Sequence, residues 1–421
     1  MSACLVIALS APCSAAAGQD ADGSALPSTA DAGSTQATES TQAPEPTDVG
    51  DMWRLLRHKL PTEDGETDES RQHFLVVAPS FGSKPSTGIS GGFSSNLAFF
   101  RGDPETTRIS VLSAGMKVSQ KAQTLSGVKF SIFTSDDRWF LQGDNRLTWT
   151  SQNTYALGTQ PTLAGSANVK YDFFRLYETA YRKVKRGLFV GVGLDVDVHA
   201  SARAGTSGES SFDESAYVAY NDRHGFSEDT QTSSGTSVGL LFDTRDNAIN
   251  ARRGWLASAT YRTFMSGFLD GDSTWQELYL DARTYRELTP DARHKLAFWF
   301  LGDLVTGGVA PYLDLPSNGG DGRSARGYAE GRFRGERMLY GEMEYRGTVT
   351  PNGLLGVVAF LNATTVDSRE TGERLFDAVA PAAGFGLRVL LNKRSRTNLC
   401  TDYAWGKDGS RGFYLAIQEA F

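Results

Sequence analysis

Leu188 to His199 reads LFVGVGLDVDVH. Leu188, Val190, Val192, Leu194, Val196 and Val198 fall on one parity. Phe189, Gly191, Gly193, Asp195, Asp197 and His199 fall on the other. A strand turns successive side chains to opposite faces, so this segment is a ribbon with one aliphatic face and one mixed, polar face. Two settings suit such a ribbon. In a soluble sandwich the aliphatic face is core; in a transmembrane barrel it meets lipid while the other face lines the lumen. One ribbon does not choose between them. The register of strands and loops along the whole chain does.

From Phe74 onward, alternating segments of roughly 10 residues recur between turn-like stretches. They lie near 74–81, 88–100, 107–119, 123–134, 139–151, 165–184, 187–201, 235–246, 254–267, 273–288, 294–307, 336–349, 353–366, 382–391, 396–405 and 411–421. Alternate connections are short: RGDPET, SDDR, LTPDAR, TPNG and NKRSR. The intervening ones include long polar loops at 152–164, 202–234, 308–335 and 367–381. Short turns on one side and long loops on the other predict an all-β fold, a transmembrane antiparallel barrel of about 16 strands. No window of ~18 apolar residues follows the N-terminus, so a membrane helix is not available. The formal charge of −7 argues against a nucleic-acid partner.

Residues 1–17 read as a secretory signal, with the apolar core Leu5–Leu9 and small residues to Ala17, although no Lys or Arg precedes that core. Residues 18–73 read as a disordered linker, because 18–50 hold almost no large apolar residue. Within the linker, Asp51 to Leu60 (DMWRLLRHKL) reads as one short helix capped by Asp51. With the leader removed, Cys400 has no disulfide partner.

Another long feature that fits neither helix nor strand is Val309–Gly335, VAPYLDLPSNGGDGRSARGYAEGRFRG. It carries Arg323, Arg326, Arg332 and Arg334 among six glycines, between two strand-like segments. Tyr312, Leu313, Leu315, Tyr328 and Phe333 argue against disorder. Arginines among aromatics in so long a loop call for partners.

Ser324-Ala325-Arg326-Gly327-Tyr328 resembles the (V)RG(F/Y) signature of the BamA/TamA-type bacterial surface-antigen superfamily. Asp243-Thr244-Arg245-Asp246-Asn247 with Gly254, and Glu344-Tyr345-Arg346, are similar to further motifs of that family. The resemblance covers roughly residues 74–421 and rests on the order and spacing of these motifs together. It implies a lumen-folding loop between strands 11 and 12, and the strand count places the arginine loop there. It makes Arg326, Gly327 and Tyr328, with Glu344, Phe360 and Asn362, the residues that anchor the loop in the lumen. In the family, carboxylates at the positions matching Glu344 and Asn362 receive the loop arginine; this chain has Asn at the second. Parity agrees, since Glu342, Glu344 and Arg346 share one face, as do Val358, Phe360, Asn362 and Thr364. Arg326 is expected to pair with Glu344 and to donate to the Asn362 side-chain oxygen. Asp243, Arg245 and Asp246 are read as a local strand-turn motif. Phe421, ending the alternating row Phe413, Leu415 and Ile417, resembles the assembly signal of outer-membrane barrels, with Glu419 interrupting the row.

The resemblance also implies a location in the bacterial outer membrane, with lipid around the barrel. Its activity would be insertion or translocation of polypeptide, or of lipid, through a weakly paired seam between the first and last strands. Larger relatives carry periplasmic polypeptide-transport-associated domains. Residues 18–73 are too short and too polar for a complete one, so a separate periplasmic partner is expected alongside a polypeptide client. A passive pore or structural barrel is the alternative. An enzyme is not expected: GISGG at 88–92 and GTSVG at 235–239 match G-x-S-x-G, but both run on into strand text rather than into a helix. No pair of histidines has metal-ligand spacing, and neither a metal nor another cofactor is expected.

Overall fold

In a computed structural model, sixteen antiparallel strands close into one barrel, each paired with its neighbours in sequence and β1 with β16. This is the all-β barrel that the alternation implied. The structure describes residues 47–56, 73–84, 87–206, 208–321 and 323–421. The signal peptide and most of the linker lie outside them.

The strands are β1 (His73–Lys84), β2 (Gly88–Phe99), β3 (Ser110–Ser119), β4 (Thr124–Phe133), β5 (Trp139–Thr154), β6 (Ala167–Lys185), β7 (Leu188–Ala204) and β8 (Gln231–Asp243). The second half is β9 (Gly254–Phe264), β10 (Trp275–Glu287), β11 (His294–Gly308), β12 (Arg337–Thr348), β13 (Leu355–Asp367), β14 (Ala380–Asn392), β15 (Thr397–Gly406) and β16 (Arg411–Ile417). One rim carries short turns and the other the long loops. The parity read from β7 holds: Val190 and Val192 are exposed on the outside, whereas Phe189, Asp195, Asp197 and His199 are buried within. Leu75, Phe93, Val238, Leu361 and Phe385 extend the same outer band. An apolar outside around a charged inside is the reverse of a water-soluble domain and suits a lipid surround.

Three elements depart from the sequence reading. The stretch 202–234 is not a plain acidic loop: it holds helix α2 (Ala216–His224), and β8 begins at Gln231. Ser215 caps α2 by accepting the Val218 N–H at 3.1 Å, and Gly225 ends it at φ 74°. The N-terminal helix, α1, runs over Val49–Leu56, and its cap is Asp48 rather than Asp51. The Asp51 N–H donates to Asp48 Oδ1 at 2.9 Å, and the Asp51 carboxylate accepts from the Asp48 N–H at 3.3 Å. The Thr47 N–H donates to the Asn352 carbonyl, and the Lys393 N–H to Asp48 Oδ2, which pins the helix start to two short turns. Third, the last strand stops at Ile417, so Phe421 is not part of it.

The arginine loop and the seam

The loop between β11 and β12 leaves the long-loop rim at Gly308, where φ is 73°. Its base is closed by Arg334, whose Nη1 donates to the carbonyls of Tyr312, Leu313 and Leu315 at 2.8, 2.9 and 3.2 Å. Tyr312 is fully buried, edge-on to Tyr217 and Tyr220 of α2. Asn318 ties the two arms together, donating to the Ala329 carbonyl and accepting from the Phe333 N–H. Asp314 lies in this base, accepts from Ser233 Oγ at 2.6 Å, and faces His199 Nδ1 at 3.4 Å. Burial, and then the Asp197 charge, push its carboxyl up to about 8.

The tip turns on two left-handed residues, Ala325 (φ 55°) and Gly327 (φ 111°). A Cβ on Gly327 would lie 3.0 Å from Ala382 Cβ and 3.2 Å from the Trp405 backbone, so glycine is needed there twice over. This turn drives Arg326 into the barrel wall, where it is 4% exposed. Its Nη1 meets Asp402 Oδ2 at 2.6 Å; its Nη2 meets Glu344 Oε2 at 2.5 Å and also pairs with Glu342. The guanidinium lies 3.6 Å over the Phe360 ring. The Gly327 N–H donates to the Tyr414 hydroxyl at 2.9 Å. The Tyr328 hydroxyl donates to the Pro381 carbonyl and accepts from the Lys407 N–H. The six residues singled out for anchoring therefore meet at one place.

Asn362 differs from the expectation. Its Nδ2 donates to the Arg326 backbone carbonyl at 3.1 Å, and its side-chain oxygen accepts no hydrogen bond among the described residues. Asn362 thus holds the loop by its backbone, not by the guanidinium. The second carboxylate missing from β13 is supplied by Glu342, which faces Asn362 across the β12–β13 ladder, and by Asp402 of β15. Glu342 was legible as an inward side chain but not as a partner. Asp402 had one signal only, as the one charged side chain of β15, at the lumen parity.

The strand-turn motif is local in part. Arg245 forks onto Asp243 with both contacts at 3.0 Å, and Arg108 reaches the same carboxylate at 3.0 Å from the β2–β3 turn. Asp246, however, meets Arg396 of the β14–β15 turn at 2.6 Å. The β8–β9 turn also carries Ala248 and Ile249 to Phe74, Ala98 and Ile109 on the β1–β3 wall. It therefore crosses the short-turn mouth.

Among the described residues, the seam between β1 and β16 is paired at one position, Ser83 opposite Phe413. β15 and β16, by comparison, pair from Leu399–Ile417 to Trp405–Arg411. Gln418 takes φ 77° and the chain turns inward. Phe421 ends up buried in the lumen, its ring 5.2 Å from that of Trp299 and its backbone oxygen accepting from Arg346 Nη2 at 2.9 Å. The reading of Phe421 as the end of an alternating row is corrected accordingly. Glu419 explains the departure, since a carboxylate cannot continue the lipid-facing row. A cavity of about 460 Å³ lies between the arginine loop, the inner wall of β2–β5 and residues 413–420. Both G-x-S-x-G segments lie inside strands, 88–92 in β2 and 235–239 in β8, without the strand–turn–helix that a nucleophile elbow needs.

The fold is similar to solved outer-membrane barrels. BamA from Haemophilus ducreyi lacking POTRA domains 1–3 matches 82% of this chain and 70% of its own, at 15% identity and a TM-score of 0.54. CdiB from Acinetobacter baumannii matches at 13% identity and 0.53, and CdiB from Escherichia coli at 12% and 0.53, each over 82% of this chain. The chain spans 59% and 63% of those two proteins. A search of curated protein sequences returns no match. The Omp85 superfamily domain matches residues 112–421, well over half of the sequence, and on that ground this protein belongs to the Omp85 superfamily.

Proposed function

We propose that this barrel resides in the bacterial outer membrane, short turns toward the periplasm, and inserts or translocates polypeptide through the β1–β16 seam. The observation that carries the proposal is that, among the described residues, the seam is paired at one position. An unpaired strand edge is a template for a further strand, so residues 73–82 of β1 offer main-chain donors and acceptors to an incoming segment. Pro79 within β1 fits an edge, because proline removes one ladder donor. β16 has 7 residues, short of the ~9–11 a spanning strand uses, which leaves the bilayer poorly matched beside the seam. The clients are polypeptides, and a separate periplasmic partner delivers them. The loop seated across the lumen supports this reading over a passive pore.

The test is a disulfide between Ser83→Cys and Phe413→Cys, in a background with Cys400→Ser. These residues already face each other, so the staple fixes the seam without reshaping it. The stapled protein is expected to fail to restore outer-membrane protein composition in cells depleted of the native copy, and to recover on reduction. Full activity with the staple quantitatively formed would leave the passive barrel as the better reading.

A further inference from the structure

The Ser83–Phe413 register, continued, would set residues 418–421 opposite residues 78–75 and lengthen the seam ladder. They do not take that course. The Gln418 N–H still donates to the Asn398 carbonyl, and then the chain leaves the sheet through a strained left-handed residue. Two arginines hold residues 419–421 in the lumen. Arg388 Nε meets Glu419 Oε2 at 2.7 Å, and Arg346 donates to the Phe421 oxygen. Asn398 adds a hydrogen bond to Glu419 at 2.8 Å.

The same two arginines hold the carboxylates that seat the loop. Arg346 Nε meets Glu344 Oε1 at 2.6 Å, and Arg388 Nη1 meets Asp402 Oδ1 at 2.6 Å. Glu344 and Asp402 spend their other oxygens on Arg326. Two unbroken chains of ion pairs, the first closed by a hydrogen bond to the Phe421 backbone oxygen, therefore run from the loop tip to residues 418–421. One is Arg326, Glu344, Arg346, Phe421; the other is Arg326, Asp402, Arg388, Glu419. The side chains in these pairs are at most 8% exposed, so water screens them little. Four carboxylates (Glu342, Glu344, Asp402, Glu419) face three guanidiniums. Withdrawing Arg326 leaves four carboxylates to two guanidiniums, so Glu344 and Asp402 draw harder on Arg346 and Arg388, and Glu419 then shares Arg388 with a stronger competitor.

We propose that Arg346 and Arg388 are positioning residues that couple the seating of the arginine loop to the inward course of residues 418–421. With the loop seated, the segment stays in the lumen and the lower edge of β1 stays unpaired. With the loop withdrawn, the segment is free to extend along β1 and lengthen the seam ladder. The loop is thus the control of the edge that the proposed function uses. Its functional meaning rests on that reading; the coupling itself does not.

The test uses the full chain with Cys400→Ser and a reporter pair, Val76→Cys with Ala420→Cys, which face each other only if the β16 register continues. Oxidation should be slow in this parent and at least tenfold faster with Arg388→Gln. Arg388→Lys, which keeps the charge, should restore most of the slow rate. Arg326→Ala should also accelerate the bond, although Arg326 touches none of residues 418–421. Coupling is reciprocal, so Glu419→Gln, without the cysteines, should raise trypsin cleavage after Arg323. Heat-modifiable migration confirms a folded barrel in each variant; where Arg388→Gln fails that check, Arg388→Lys and Glu419→Gln carry the test. Acceleration by Arg388→Gln without any by Arg326→Ala would reduce Arg388 to a local anchor and overturn the coupling. No acceleration by either would overturn the whole proposal. All of these readouts are taken on the resting protein. Coupling present with a harmless seam staple would sink the insertase reading alone, and the converse would sink the coupling alone.

Discussion

Arg326→Ala withdraws one buried cation from three carboxylates and from the face of Phe360. Breaking one buried ion pair costs ~3–5 kcal/mol. The loss here should stay near that single-pair figure rather than three times it. Glu344 and Asp402 keep Arg346 and Arg388, and Glu342 keeps the Tyr340 hydroxyl. At ~1.4 kcal/mol per decade, the ratio of seated to withdrawn loop should fall by about two to three and a half decades. Arg326→Lys keeps the charge but not the fork, and loses at least one charged hydrogen bond, ~1.5–3 kcal/mol. The assay is limited trypsin digestion of the purified barrel in detergent. Cleavage tracks the open population when closing is fast. Cuts should appear after Arg323, at the tip, and not at the base, which Arg334 and Asn318 hold independently. Glu344→Gln should resemble Arg326→Ala, and the double variant should be little worse than either. Unchanged cleavage in both single variants, with both still heat-modifiable, would refute the anchored loop.

Asn362→Asp should loosen the loop in the same assay: it removes the donor to the Arg326 carbonyl and adds a carboxylate to a cluster already rich in them. Asp314 favours the neutral form in the folded loop, so its contribution is full at low pH and is lost as pH rises through about 8. The midpoint of heat-modifiable unfolding should therefore fall between pH 6 and pH 9 in the native protein, and fall less in Asp314→Asn. Ile249→Ala removes the buried β8–β9-turn member of the apolar cluster on the β1–β3 wall and should cost ~2–5 kcal/mol, read as a lower midpoint in that assay. The native protein should fractionate with outer membranes and resist carbonate extraction; recovery from the soluble periplasm would contradict the lipid-facing band.

The legible and the hidden parts of the fold divide along a physical line. Period-2 alternation is a local property, so the strands, their inward and outward faces, and the place of the arginine loop after β11 were all readable from stretches such as Leu188–His199. Glu344 was readable for the same reason. The partners across the lumen were not. Asp402 lies 76 residues from Arg326, and its role depends on how strand twist and tilt accumulate between β12 and β15, which no window of sequence records. Asp246 reads as a turn residue, and its bond to Arg396 is 150 residues away. α2 was legible in principle, from Ser215 before it and Gly225 after it, but its tyrosines and acidic neighbours resemble a solvated loop.

The asymmetry of the lumen says which side of the seam is held. From the loop, Arg326 reaches β12 and β15, Gly327 reaches β16 through Tyr414, and Tyr328 reaches β14. Asn362 adds β13. These contacts bind the last five strands and the loop into one block. A cavity of about 460 Å³ lies between the loop, the inner wall of β2–β5 and residues 413–420, and it reaches β1 at Phe81 and Gly82. β1 is held by its full ladder to β2, by Ser83 opposite Phe413, and by Phe74 against the β8–β9 turn. Opening the seam therefore costs little on the β1 side, where, among the described residues, one paired position and part of one apolar cluster separate. On the β16 side it would disturb a buried network of charges. The edge that moves is β1, and the edge that stays is β16, to which the arginine loop is anchored through Tyr414.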